Sequence, residues 1–166
     1  MNKRQIIIVL LLLIAMGLTA KISEGEIASN FKSKTFEGSE IELHTFLKEN
    51  DGLVLLDFWA TWCAPCVEAL PHLNELGKKH NIKVIAICED GRRTLNKAKK
   101  YIEEKKFDFV NIIDEKNHIQ TLFEVQAIPA TFIIDAEGKI LYTHTGYKKG
   151  DEVELDKHLT ELLKKD

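Results

Sequence analysis

The sequence predicts a mixed α/β fold, a central sheet of parallel and antiparallel strands with helices on both faces. Three observations carry that prediction. Leu53-Val54-Leu55-Leu56-Asp57-Phe58-Trp59 is a nearly unbroken apolar run, the pattern of a strand buried on both faces of a sheet. Strand-like and helix-like segments alternate after it, which favours a sheet covered on both sides. The chain then changes habit: Thr131–Asp135 and Lys139–Thr145 are joined at Ala136-Glu137-Gly138, a hairpin signal, and a last helix follows.

The elements follow in order. Two short strands are expected around Lys34–Phe36 and Ile41–Leu43, turning at Gly38-Ser39, with a short helix from His44 to Lys48. The apolar run at Leu53 forms the first core strand. A helix opens at the cysteines that follow it. Pro65 suits a first helical turn, where no N–H is needed, and Val67, Leu70, Leu73 and Leu76 share one face. Pro71 lies inside this helix and should kink it. Ile82–Cys88 is the second core strand. Leu95, Ala98 and Ile102 mark an amphipathic helix with a Lys/Glu outer face. Phe109–Ile113 is the third core strand, and Ile119, Leu122 and Phe123 a short helix. The last helix turns Leu155, Leu159, Leu162 and Leu163 inward.

The chain has 166 residues, enough for one domain with its own core. Hydrophobic residues make up 45% and charged residues 30%, as in a globular protein. A formal charge of -3 offers no basic field for nucleic acid or an anionic membrane surface. The N-terminus reads separately. Lys3 and Arg4 precede an apolar run from Ile6 to Ala15, which continues more weakly to Ala20. Small residues at Ala15, Gly17 and Ala20 offer cleavage positions, so residues 1–20 have the layout of a signal peptide. An uncleaved membrane anchor is the other reading, although the run is shorter than the roughly 18 apolar residues of a spanning helix. Residues 21–33 are small and polar and are expected to form a tether, with the domain over 34–166.

Three cysteines are present, Cys63, Cys66 and Cys88. In an exported chain, one closely spaced pair points to redox chemistry, because the compartment permits disulfides. Cys63 and Cys66 open a helix after a buried strand. At a helix N-terminus the unsatisfied N–H groups and the macrodipole favour an anion. Such sites lower a thiol pKa from about 8.5 to roughly 3.5–7.5. Cys63 is then the exposed attacking thiolate, and Cys66, one turn on and more buried, resolves the mixed disulfide. A bridge that only stiffens a turn is a poor alternative, since so small a loop removes little chain entropy. A zinc site lacks a second Cys-x-x-Cys or a close histidine pair. No metal or cofactor is expected.

Trp62 shapes the surface beside Cys63. Asp57 stands in an apolar strand six residues before Cys63 and is expected beneath the pair. Burial would raise its pKa and suit it to move a proton to or from Cys66. A strand-end or hydrogen-bonded aspartate is the plainer reading. Ile128-Pro129 precedes a core strand, where proline cannot donate to the ladder. On spacing alone it is an ordinary trans proline. Cys88 reads as a small core hydrophobe. The six histidines show no ligand spacing and read as surface or hydrogen-bonded residues.

Taken together, Val54-Leu55-Leu56-Asp57-Phe58-Trp59-Ala60-Thr61-Trp62-Cys63-Ala64-Pro65-Cys66 resembles the active-site stretch of the thioredoxin superfamily. Pro71, the segment Ile128–Asp135, the turn Glu137-Gly138 and Gly146 extend the match. The exported N-terminus and the Phe36…Gly38…Leu43 spacing resemble the TlpA/ResA branch of extracytoplasmic thiol-disulfide oxidoreductases. The resemblance implies a thioredoxin fold with a redox-active Cys63-Cys66 disulfide beside a cis Pro129. It implies that Ile128 offers its backbone to a substrate segment. It further implies a monomeric, periplasmic protein-disulfide reductase acting on exported protein disulfides or thiols, fed by a membrane electron donor. One position departs from the branch, where a glutamate often stands three residues after the second cysteine. Here that residue is Ala69, and its neighbour Glu68 points about 100° away on a helix of 3.6 residues per turn. This puts any cytochrome-specific role of that acid in doubt. Two other functions remain as alternatives. A thiol peroxidase would want Thr and Arg near its cysteine; Thr61 is close, but no arginine is evident. A copper(I) carrier would use the thiols as ligands, although a cis Pro129 against the pair would hinder metal access.

Overall fold

The computed structural model describes residues 23–114 and 116–164. The expected signal or anchor over 1–20 lies outside them. Among the described residues no helix is long and apolar enough to cross a membrane.

A hairpin of β1 (Lys32–Lys34) and β2 (Glu40–Glu42) leads into α1 (Leu43–Asn50). Then follow β3 (Val54–Trp59), α2 (Ala64–His80), β4 (Lys83–Cys88), α3 (Leu95–Lys105), β5 (Val110–Ile113) and α4 (His118–Leu122). β6 (Ala130–Ile134), β7 (Ile140–Thr145) and α5 (Asp151–Leu162) complete the chain. The main sheet has the order β5-β4-β3-β6-β7. β3 runs parallel to β4 and antiparallel to β6, and β7 closes the edge antiparallel to β6. This is the mixed sheet of a thioredoxin fold.

Alternation along β3 divides the interior into two cores. Val54, Leu56 and Phe58 face one core with Phe31, Leu43, Leu47, Phe123 and Phe132. Leu55 and Trp59 face the other, with Leu70 and Leu73 of α2, Ala98 and Ile102 of α3, and Leu155 and Leu159 of α5. Asp57 alternates with Leu56 and Phe58, so it falls on the α2 side, where Cys66 is buried.

The first hairpin sits earlier than expected, β1 by two residues and β2 by one. Leu43 is fully buried and begins α1 instead of ending a strand. Phe36 is drawn to the main sheet, its N–H donating to the Asn111 carbonyl at 2.9 Å. The segment expected as a tether packs on the fold well before residue 34. Ala28 and Phe31 are buried in the core, and the Gly25 N–H donates to the Ile140 carbonyl at 2.8 Å.

Pro71 stays within a continuous α2. Proline has no N–H, so it leaves the carbonyl four residues back without a helical partner. That carbonyl belongs to Val67, and Tyr101 Oη of α3 donates to it at 3.4 Å. α2 is tied to α5 as well, because Asp156 accepts from Lys79 Nζ and pairs with His80 Nε2, both at 2.6 Å.

Gly77 lets α2 approach β4. A Cβ there would lie 2.7 Å from Val84 Cγ2. Val84 is buried and β-branched, so it cannot swing aside. Gly77→Ala is expected to destabilise the fold by about 1–3 kcal/mol, reversing the usual helix preference for alanine of ~1 kcal/mol. Denaturant unfolding of the variant checks this.

Candidate active site

The site forms where β3 and β4 end and β6 begins. β3 delivers the chain through Ala60 and Thr61 to Cys63, the N-cap of α2. Cys63 and Cys66 are joined as a disulfide with Cα atoms 5.3 Å apart. The Cys66 N–H donates to Cys63 Sγ at 3.3 Å, so a backbone donor already points at the sulfur that would carry negative charge. Cys63 retains 7% of its surface, whereas Cys66 is fully buried. Beside them Trp62 is 64% exposed, an unusual state for so large an apolar side chain.

The Ile128–Pro129 bond is cis, as the family resemblance implied and the spacing alone did not. The Ile128 carbonyl oxygen lies 3.7 Å from Cys63 Sγ. Trp62, Cys63, Pro65 and Ile128 line one groove of about 470 Å³.

Asp57 is fully buried. It pairs across the sheet with Thr131, whose Oγ1 donates to Asp57 Oδ1 at 2.7 Å. Asp57 Oδ2 has no partner among the described residues. Burial pushes the carboxyl up from 3.8 to about 7, and the Thr131 hydrogen bond opposes this only in part.

Two acids that the sequence reading did not single out complete the site. Asp90 accepts from the Thr61 N–H at 2.6 Å and from Thr61 Oγ1 at 2.8 Å, which anchors the loop before Cys63. Cys88 is buried beside it, with Sγ 3.6 Å from Asp90 Oδ2, and burial pushes its thiol up out of reactive range. Glu89, between them in sequence, lines the Cys63 groove. Their signal was present: two successive acids end an apolar strand. Ala69 lines a small cavity of about 20 Å³ with His72, Pro129 and Thr131, and Glu68 is exposed. Glu68 therefore does not stand in for the absent acid.

Residues 25–143 match the AhpC/TSA family model. The chain belongs to the AhpC/TSA family. It is 32% identical over 160 residues to thiol-disulfide oxidoreductase ResA of Bacillus thuringiensis subsp. konkukian, covering 90% of this chain and 91% of that one. It is 29% identical over 136 residues to the thioredoxin-like protein YneN of Bacillus subtilis, covering 80% and 78%. Among solved structures it is similar to a putative thiol:disulfide interchange protein DsbE from Chlorobium tepidum. That pair has a TM-score of 0.77 and 28% identity, covering 86% of this chain and 99% of the other. With the Cys63–Cys66 pair in place, this family member is a thiol-disulfide oxidoreductase.

Proposed function

We propose that the enzyme reduces disulfides in exported proteins outside the cytoplasm, with Cys63 as nucleophile, Cys66 as resolving thiol and Asp57 as proton acceptor. The observation that carries this reading is the groove that places Cys63 Sγ 3.7 Å from the Ile128 carbonyl. An extended substrate segment can hydrogen-bond to that backbone as an added strand while Trp62 covers its side chains. The Cys63 thiolate attacks one substrate sulfur, the substrate disulfide breaks, and a mixed disulfide forms. Asp57 takes the Cys66 proton. Cys66 then attacks Cys63 Sγ and releases the second substrate sulfur as a thiolate.

Asp57 supports the reducing direction. A buried carboxylate makes a second buried anion costly, and reduction of the pair would create one. This favours the disulfide form and lowers the potential. The Lys3, Arg4 and Ile6–Ala15 pattern supports export, and a membrane electron donor would return the pair to the dithiol.

A redox titration of Cys63/Cys66 tests the direction. Its midpoint is expected nearer the about -270 mV of thioredoxin than the about -120 mV of DsbA. A value at the oxidising end would sink the reductive reading. Mixed disulfides trapped in cells by Cys66→Ser should be with exported proteins; capture of cytoplasmic ones alone would refute the compartment.

A further inference from the structure

One acid at the Cys63 groove has no part in the exchange just described. β4 runs parallel to β3, so both release the chain at the same edge of the sheet. β3 leads there to Cys63 and β4 to Glu89, whose N–H donates to the Trp59 carbonyl at 2.9 Å. The Glu89 side chain is half-buried and lines the groove together with Trp62, Cys63, Pro65, Gln120 and Ile128. Both carboxyl oxygens are buried, and neither has a hydrogen-bond partner among the described residues. The neighbouring acids are engaged. Asp90 holds Thr61, and Asp114 accepts from the N–H groups of His118 and Gln120, both at 2.8 Å. An unpartnered buried carboxyl is costly and calls for a functional explanation.

We propose that Glu89 is a further catalytic residue: rotated into the groove, its carboxyl group protonates the substrate thiolate released when Cys66 closes on Cys63. This rests on the reductive reading above. In that step a bond forms between Cys66 Sγ and Cys63 Sγ. The bond between Cys63 Sγ and the substrate sulfur breaks, and its electron pair stays on the substrate sulfur. The enzyme dithiol is thereby oxidised and the substrate disulfide fully reduced. Glu89 gives its proton to the departing sulfur, and water returns one to Glu89.

A further fact supports the role. Burial, with the Asp114 charge adding to it, pushes the Glu89 carboxyl up from 4.5 to about 8. It therefore holds its proton at neutral pH while buried. Turning out into the groove relieves the burial and lowers its pKa, so that transfer to an alkyl thiolate of pKa about 8.5 runs downhill.

The test compares single-turnover oxidation of the pre-reduced wild type and Glu89→Gln by two disulfides. Glutathione disulfide releases an alkyl thiolate that needs a proton. An aromatic nitrobenzoate disulfide releases a far weaker base that does not. Glu89→Gln is expected to slow the first by about a hundredfold and the second much less. Equal slowing with both disulfides would mean a structural role and overturn the proposal. So would an unchanged rate with glutathione disulfide. Partial misfolding scales both rates alike and leaves their ratio readable. A wild type that reduces neither disulfide would overturn the reductive reading itself, a distinct failure from a variant that matches an active wild type.

Discussion

Cys63→Ser is expected to abolish disulfide exchange, with a fall of at least about a thousandfold in the rate of protein-disulfide reduction. A serine hydroxyl stays protonated where the cysteine is a thiolate, so the N–H that Cys66 aims at position 63 stabilises nothing reactive. Cys66 cannot take over. It is fully buried, and no substrate sulfur can approach it in line. Cys66→Ser should behave differently. Its Cys63 still attacks, but the mixed disulfide persists, because nothing resolves it. Insulin reduction and non-reducing gels of substrate mixtures distinguish the two variants. Substantial activity in Cys63→Ser, or stable adducts in Cys63→Ser and none in Cys66→Ser, would reverse the assignment.

The order of elements in the main sheet was readable because each strand carries a run of apolar residues and each helix an apolar stripe. Boundaries moved by only a residue or two there. The first hairpin was less readable, because short polar strands take their register from contacts made elsewhere. Phe36 leaves the hairpin for Asn111, a partner far along the chain. The tether was misjudged for a similar reason. A small, polar segment looks unattached, yet it needs only Ala28, Phe31 and a few backbone bonds to pack.

At the site, Cys63, Cys66 and Asp57 were legible from one contiguous stretch, and Ile128 and Pro129 only through the family resemblance. Thr131 could be placed against Asp57 only once the β3–β6 register was known. Glu89 and Asp90 escaped because adjacent acids after a strand usually mark a solvated loop. What sets them apart is burial at the end of the sheet shared with Cys63, a property of the topology and not of the local sequence.

A large effect of pH on this fold should come from Asp57. Its carboxyl is held at about 7 in the folded, oxidised protein, against 3.8 when exposed. Below both values the acid is protonated in either state and contributes no difference. As pH rises from 3.8 to 7, the unfolded chain releases the proton while the folded chain keeps it. Unfolding therefore becomes easier by about 1.4 kcal/mol per pH unit, reaching about 4 kcal/mol above pH 7. Asp57→Asn removes this dependence. Its amide can still accept from Thr131 Oγ1, but its NH₂ group inherits the unpartnered position of Oδ2, at a pH-independent cost of about 1–3 kcal/mol. The stability difference between variant and wild type should therefore shift in favour of the variant by about 4 kcal/mol between pH 4 and pH 8. Urea unfolding of both oxidised proteins across that range measures it, and a difference that stays flat would refute the burial-driven shift. Under the proposed mechanism the same variant should resolve mixed disulfides about a hundredfold more slowly at neutral pH, since Cys66 would lose its proton acceptor. A more stable but slower enzyme is the expected signature of a carboxylate kept buried for its chemistry at a cost to the fold.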